Sequence, residues 1–200
     1  MDPEFSKLNQ DIRGCTKCSL SQTRTHAVCG EGNRRSGIVF IAQAPGERED
    51  KQNQMFIGPS GKWLKELLSG AGIGFSEFYM TNLIKCYIPK CRRPSKNEIE
   101  QCAKHLEKEL NIINPKLIVP LGFHATRYVF RRFGLERPVS KEYHVLFGKL
   151  FKAGNRLIFP LRHPAALLFN PEKRSAIQEN YNKLRSLFDH LQTDRMLTIF

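Results

Sequence analysis

Six cysteines in 200 residues are too few to staple a small secreted scaffold, so the thiols of this chain are expected to stay reduced. No apolar run approaches the ~20 residues that cross a bilayer, and no signal-peptide pattern precedes Cys15; a cytoplasmic, non-membrane protein is expected. Internal repeats, low-complexity stretches and clear linkers are all missing, which leaves one domain as the expectation. Acid is in short supply: 19 Asp and Glu face 32 Lys and Arg, a net charge of +13. Such a balance suits a polyanionic partner, the alternative being a solvated basic surface. The cations gather at Arg34-Arg35, Lys90 to Lys96, Arg131-Arg132 and Lys173-Arg174. Gly58-Pro-Ser-Gly61-Lys62 lacks the glycine spacing of a phosphate-binding loop, and Trp63 takes the place of its Ser or Thr, which excludes nucleotide hydrolysis there.

What is present alternates. Ile38–Ile41 is a short apolar run between Ser36-Gly37 and Ala44-Pro45-Gly46, the pattern of a buried strand feeding a loop. Trp63, Leu64, Leu67 and Leu68 recur at helical spacing, with Ser60 as the expected N-cap. Phe78 to Lys85 reads as a second strand, and Ser95-Lys-Asn-Glu98 as a capping box opening a helix that carries Cys102, Leu106 and Leu110. Lys116–Pro120 and Arg156–Pro160 supply two further strands, separated by a helix over Phe123 to Phe133, and Ile177, Tyr181, Leu184 and Phe188 mark a terminal amphipathic helix. The alternation predicts a three-layer α/β/α domain over residues 6–190, with a central, four-stranded, mostly parallel sheet. Residues 1–5 read as a leftover of cloning outside the fold, and 191–200 as a tail. In such sheets ligands bind beyond the carboxyl ends of the strands, where Ala42 to Glu49, Asn82 and His163 converge.

Four cysteines, Cys15, Cys18, Cys86 and Cys102, stand on either side of the segment from Ile41 to Asp50. A Cys-x2-Cys pair joined to two distant cysteines closes a loop around one metal centre, and spacing alone leaves a structural zinc and an iron-sulfur cluster both open.

In order along the chain, these segments resemble the iron-sulfur-containing uracil-DNA glycosylases of bacteria and archaea, family 4. The resemblance covers about Cys15 to Leu187. It is carried by Cys15-x2-Cys18, by the Ala44-Pro45-Gly46 segment with Glu49-Asp50 and Phe56-Ile-Gly58, by Thr81-Asn82-Leu-Ile-Lys-Cys86, by Cys102, and by His163-Pro-Ala-Ala-Leu-Leu168.

The resemblance implies a monofunctional DNA-repair enzyme that flips uracil out of DNA and hydrolyses its N-glycosidic bond, leaving an abasic site. It implies a [4Fe-4S] cluster on Cys15, Cys18, Cys86 and Cys102, with Cys29 and Cys91 spare. Phe56 would stack on the uracil ring, and Asn82, offering both a donor and an acceptor, would pair with its polar edge. His163 would donate to uracil O2 as negative charge collects there. Backbone groups of Ala42, Gln43, Ala44, Pro45 and Gly46 would line the base and the attacking water, and Glu49 would help to exclude the thymine methyl. Leu167 and Leu168 are candidate wedges for the vacated base position, and Arg92, Arg93 and Lys96 for phosphates, with ordinary core packing competing for each leucine. No lysine in the site motifs is expected to form a Schiff base, so lyase activity is not implied.

Two departures stand out. Gln43 occupies the position where the family pattern has glutamate, through natural variation or an introduced change, and an amide can orient water but not take its proton. Asn53-Gln-Met55 replaces the glycine and proline usual before Phe56. If Gln43 silences the site, a non-catalytic nucleic-acid-binding protein with a structural metal is the alternative; an iron-sulfur redox protein is a second, poorly served by the basic surface. Expected partners are uracil-containing DNA near the nucleoid, met by a monomer, and weakly a sliding clamp, for which Gln192, Met196, Leu197 and Phe200 form an incomplete binding tail.

Overall fold

The computed structural model describes residues 2–136 and 140–192. In chain order its elements are α1 (Pro3–Arg13), β1 (Glu31–Gly32), β2 (Ile38–Ala42), α2 (Glu47–Gln52), α3 (Pro59–Gly70), β3 (Tyr79–Asn82) and α4 (Lys96–Ile113). There follow β4 (Leu117–Pro120), α5 (Gly122–Arg132), β5 (Phe151–Ala153), β6 (Arg156–Ile158), α6 (Ala166–Phe169) and α7 (Arg174–Gln192). The strands form one sheet in the order β1-β3-β2-β4-β6-β5. Its inner four strands run parallel and are the four expected from the sequence; both edges are antiparallel additions. At two and three residues, β1 and β5 are too short to leave an alternating pattern.

All five residues of β2 are buried, as a central parallel strand requires. Because side chains alternate across a strand, Ile38, Phe40 and Ala42 join the cluster that holds Leu64 and Leu67 of α3 and Tyr181 and Leu184 of α7. Val39 and Ile41 face the opposite cluster, with Ile12 of α1, Leu106 and Leu110 of α4, and Val129 and Phe130 of α5. The three layers follow from that alternation. Truncating Leu64 or Leu106 to alanine, each fully buried, costs about 2–5 kcal/mol.

Several boundaries differ from the sequence reading. Phe5 is 3% exposed and packs edge-on against Tyr79, so part of the segment set aside as lying outside the fold belongs to its core. The N-cap of α3 is Gly58 rather than Ser60, with Pro59 at the first helical position, where its missing N–H costs nothing. The predicted capping box of α4 forms, Ser95 Oγ accepting from Glu98 N at 3.2 Å and Glu98 Oε2 from Ser95 N at 2.7 Å. The predicted strand to Lys85 ends at Asn82, although Leu83 N and Ile84 N still donate to the carbonyls of Ala42 and Gln43 at 2.8 and 2.9 Å. Among the described residues no helix is long and apolar enough to cross a membrane. Of the tail read over 191–200, Leu191 and Gln192 belong to α7, while 193–200, with Met196, Leu197 and Phe200 of the clamp-tail reading, lie outside the described residues.

Candidate active site and cysteine ring

Beyond the carboxyl ends of β2 and β3 opens a cavity of about 340 Å³, the position expected for an open α/β sheet. It brings together Ala44, Pro45, Gly46, Glu49, Phe56, Asn82 and His163. Ala42 and Gln43 do not line it. Their carbonyls are taken by Leu83 and Ile84, which closes off the part of the expected backbone lining nearest the strand. Glu47 and Arg48, which the sequence reading covered only within the span Ala42 to Glu49 and gave no role, do line it; both sit in the first turn of α2, and only the fold shows that this turn faces inward.

Asn82 ends β3 at 2% exposure. Its Nδ2 donates to Met55 Sδ at 3.3 Å, and its Oδ1 has no hydrogen-bond partner among the described residues. A buried amide oxygen left unpaired costs about 1–3 kcal/mol, so it calls for a donor from outside the chain.

Phe56 is held in place by strain. Its φ is 52°, a left-handed conformation rare for a bulky residue. The next helix keeps it there: a Cβ at Gly61 would lie 1.8 Å from the Phe56 carbonyl oxygen, so only glycine lets α3 approach so closely. Glu49, 7% exposed, accepts from Gly58 N at 2.8 Å, and its carboxylate fills the space a Cβ at Gly46 or Gly58 would need. The two glycines therefore let one carboxylate wall the cavity.

His163 follows β6 and stacks toward Phe56, ring centroids 6.4 Å apart and planes 29° from parallel. Ala165 N donates to its Nδ1 at 3.1 Å, which leaves Nε2 to carry the ring proton. Packing around the half-buried ring lowers its pKa to about 4, so the imidazole is neutral at physiological pH. Gly122, with φ 79°, lies beneath it; a Cβ there would come within 3.0 Å of His163 Cβ.

Cys15, Cys18, Cys86 and Cys102 line one small cavity together with Arg24, Lys85 and His105. Cys29 is buried elsewhere, and the Cys91 side chain is outside the described residues. Arg24 Nη1 donates to Cys86 Sγ at 3.2 Å and Lys85 N to Cys102 Sγ at 3.1 Å. Burial pushes the Cys86 thiol up and the Cys102 thiol to about 12, so a bound metal, rather than solvent, would have to draw off these protons. Four sulfurs around one space, two of them met by N–H donors, fit a thiolate-ligated centre. Among the described residues, no group of three or more His, Cys, Asp or Glu side chains is set at metal-holding distances as it stands, the four cysteines included.

The ring is tied to the cavity. Asp50, 3% exposed, accepts from Thr25 N and His26 N of the cysteine loop at 2.9 and 3.2 Å and sits beside Glu49. Lys85 does fall within one of the site motifs, but its ammonium is 1% exposed and held by Glu109, away from the cavity.

Other expectations need correction. Leu167 is 1% exposed and packs in the core, so it cannot serve as a wedge; Leu168 at 43% and Phe169 at 82% carry the exposed apolar surface of α6. Arg92 is committed to Glu98 through two hydrogen bonds, and this pairing holds the Glu98 carboxyl down to about 2. Arg93 and Lys96 remain exposed.

A sequence model of the Uracil DNA glycosylase superfamily matches residues 29–191. The chain is 37% identical over 185 residues to a type-4 uracil-DNA glycosylase of Sulfurisphaera tokodaii, covering 92% of this chain and 84% of that one. It is 36% identical over 184 residues to the type-4 enzyme of Archaeoglobus fulgidus, covering 89% and 90% of the two chains. With the enzyme of the same name from Thermotoga maritima it shares 36% over 181 residues, 90% and 92% of the two. A basic α/β domain with this cavity, a cysteine ring beside it and likenesses of that extent belongs to the type-4 uracil-DNA glycosylases of the uracil-DNA glycosylase superfamily.

Proposed function

We propose that this chain removes uracil from DNA by hydrolysing its N-glycosidic bond. The observation that carries the reading is the unpaired Oδ1 of Asn82, which can accept from uracil N3–H while Nδ2 turns from Met55 to O4. Phe56 supplies a face for the extruded ring, worth about 1–3 kcal/mol as base-aromatic stacking. Glu49 and its two glycines narrow the cavity against a base carrying an extra methyl.

When the bond between the sugar C1′ and uracil N1 breaks, its electron pair leaves with the base, and the charge collects on O2 and O4. Neutral His163 donates from Nε2 to O2, strengthening as that charge grows; a water oxygen then bonds to C1′, and the proton it loses ends on the departed uracil anion, giving neutral uracil. Because Gln43 lies off the cavity and carries no basic group, the rate rests on stabilising the anion rather than on strong base catalysis.

Cys15, Cys18, Cys86 and Cys102 would hold a [4Fe-4S] cluster, which when bound cross-links the chain around Asn82 and Asp50. Arg93 and Lys96 contact phosphates, and Leu168 with Phe169 enters the base stack.

Oligonucleotides with one central uracil, thymine or cytosine, incubated with the protein and treated with alkali, test the activity. Strand breaks at uracil alone are expected; their absence would refute the reading. Iron and sulfide analysis tests the centre, where stoichiometric zinc without iron would contradict the cluster.

A further inference from the structure

A second and larger cavity, about 890 Å³, runs between α4 and α5. Its floor is apolar, with Ile99, Phe123 and Tyr128, the two aromatic rings half-buried. Its rim carries Arg93, Lys96, Arg127 and Arg131. Among the described residues Arg93, Arg127 and Arg131 have no acidic partner, and Lys96 has only a loose one in Glu100 at 3.7 Å. Glu107, the other carboxylate in the groove, is already committed to Tyr128 and Arg132. The groove is therefore positive, and its acids cannot neutralise it.

Its upper end lies where α5 starts at Gly122, against His163, and where Arg93 leaves the loop after β3. From Phe123 to Arg131 the helix extends about 12 Å at ~1.5 Å per residue, room for three or four steps of a stacked strand at ~3.4 Å. We propose that this groove takes the single-stranded flank of the DNA on one side of the uracil, its phosphates on the arginines and its bases against Phe123 and Tyr128. Cations alternating with aromatic faces are the chemistry of single-strand binding, since every base offers a π-face. The inference rests on the uracil-excising reading for its direction of approach, and its test separates the two.

Fluorescence anisotropy of a labelled single-stranded oligonucleotide without uracil, titrated at several salt concentrations, reads the groove alone. Arg127→Gln with Arg131→Gln is expected to weaken binding and to lower the salt slope by about 1.4, at ~0.7 per phosphate. Excision from a uracil oligonucleotide with flanks too short to reach the groove should keep its wild-type kcat. Unchanged binding would overturn the proposal, and so would an equal loss on blunt duplex, which assigns the groove to double-stranded DNA. Absence of excision by the wild-type protein would sink the function while leaving the binding result standing.

An independent observation concerns His105. It is 5% exposed, lines the cysteine ring one turn after Cys102, and neither ring nitrogen has a hydrogen-bond partner among the described residues. A neutral imidazole always carries one N–H, and leaving it buried without an acceptor is costly. We infer that His105 is a positioning residue for the proposed cluster, donating to one of its sulfurs. On protein loaded with iron and sulfide, His105→Leu should shift the reduction midpoint to lower potential, while His105→Asn, which keeps an N–H, should shift it less. Equal midpoints in all three would overturn the assignment. Loss of iron from the asparagine variant would overturn it too, since that makes His105 a ligand.

Discussion

Lys85 donates from Nζ to the backbone carbonyl of Asn82 at 2.8 Å, while its own amide donates to Cys102 Sγ at 3.1 Å. One buried residue thus joins the cysteine ring to the end of β3. Nζ also meets Thr81 Oγ1 at 2.6 Å and Glu109, which in turn accepts from Tyr79.

Removing one partner of such a pair strands the other in the core. Lys85→Met should destabilise the protein by about 3–5 kcal/mol, and Lys85→Met with Glu109→Leu should recover most of that loss. Urea unfolding measures both. A single variant within ~1 kcal/mol of wild type would show that the pair does not fix the strand end.

Phe56 depends on glycine at 61. Gly61→Ala places a methyl where the Phe56 carbonyl now lies, so the phenylalanine must leave its left-handed conformation. Uracil binding should weaken by the ~1–3 kcal/mol of a stacked base, roughly 5- to 150-fold, with the fold retained by circular dichroism. Unaltered affinity would detach Phe56 from base recognition.

The pH dependence follows from His163. Its folded pKa of about 4 lies below the ordinary 6.5 of a histidine, so the unfolded chain binds more protons between these values. Stability contributed by the neutral ring is complete above pH 6.5 and is lost as pH falls toward 4. Excision should be flat through neutrality and acquire its acid limb near pH 4. A limb at pH 6.5 would mean that the ring is not desolvated as described.

Chelating the proposed cluster should reach the chemistry only through the scaffold. Thermal unfolding of Cys86→Ser, or of protein stripped of metal, should occur at lower temperature and DNA binding should fall with it, because the loop held by Asp50 and the end of β3 lose their common anchor. Loss of turnover with binding and melting temperature unchanged would instead make the centre a participant in the reaction.

The inner sheet was legible because β2 and β4 are continuous apolar runs, β3 and β6 follow at the spacing of alternating strands and helices, and Ser95 with Glu98 announces α4. The edges were not, since β1 and β5 gain their pairing from neighbours rather than from pattern. Within the site, Asn82, Phe56 and His163 were found through motifs. Burial decided what motifs could not: Leu167 turns inward while Phe169 turns out, and Arg92, in the loop before α4, is held by the Glu98 carboxylate that also caps that helix. The Gly61 contact had no signal in the sequence, as it depends on how closely α3 crosses the loop before it.

The central claim is that His163 acts on the departing base and not on the bound one. Single-turnover excision and equilibrium binding of the same uracil oligonucleotide by His163→Ala decide it. The account predicts a rate lower by about 10²–10³, the ~2.7–4 kcal/mol of one such donor, with affinity within a few-fold of wild type. Equal losses of rate and affinity would contradict it.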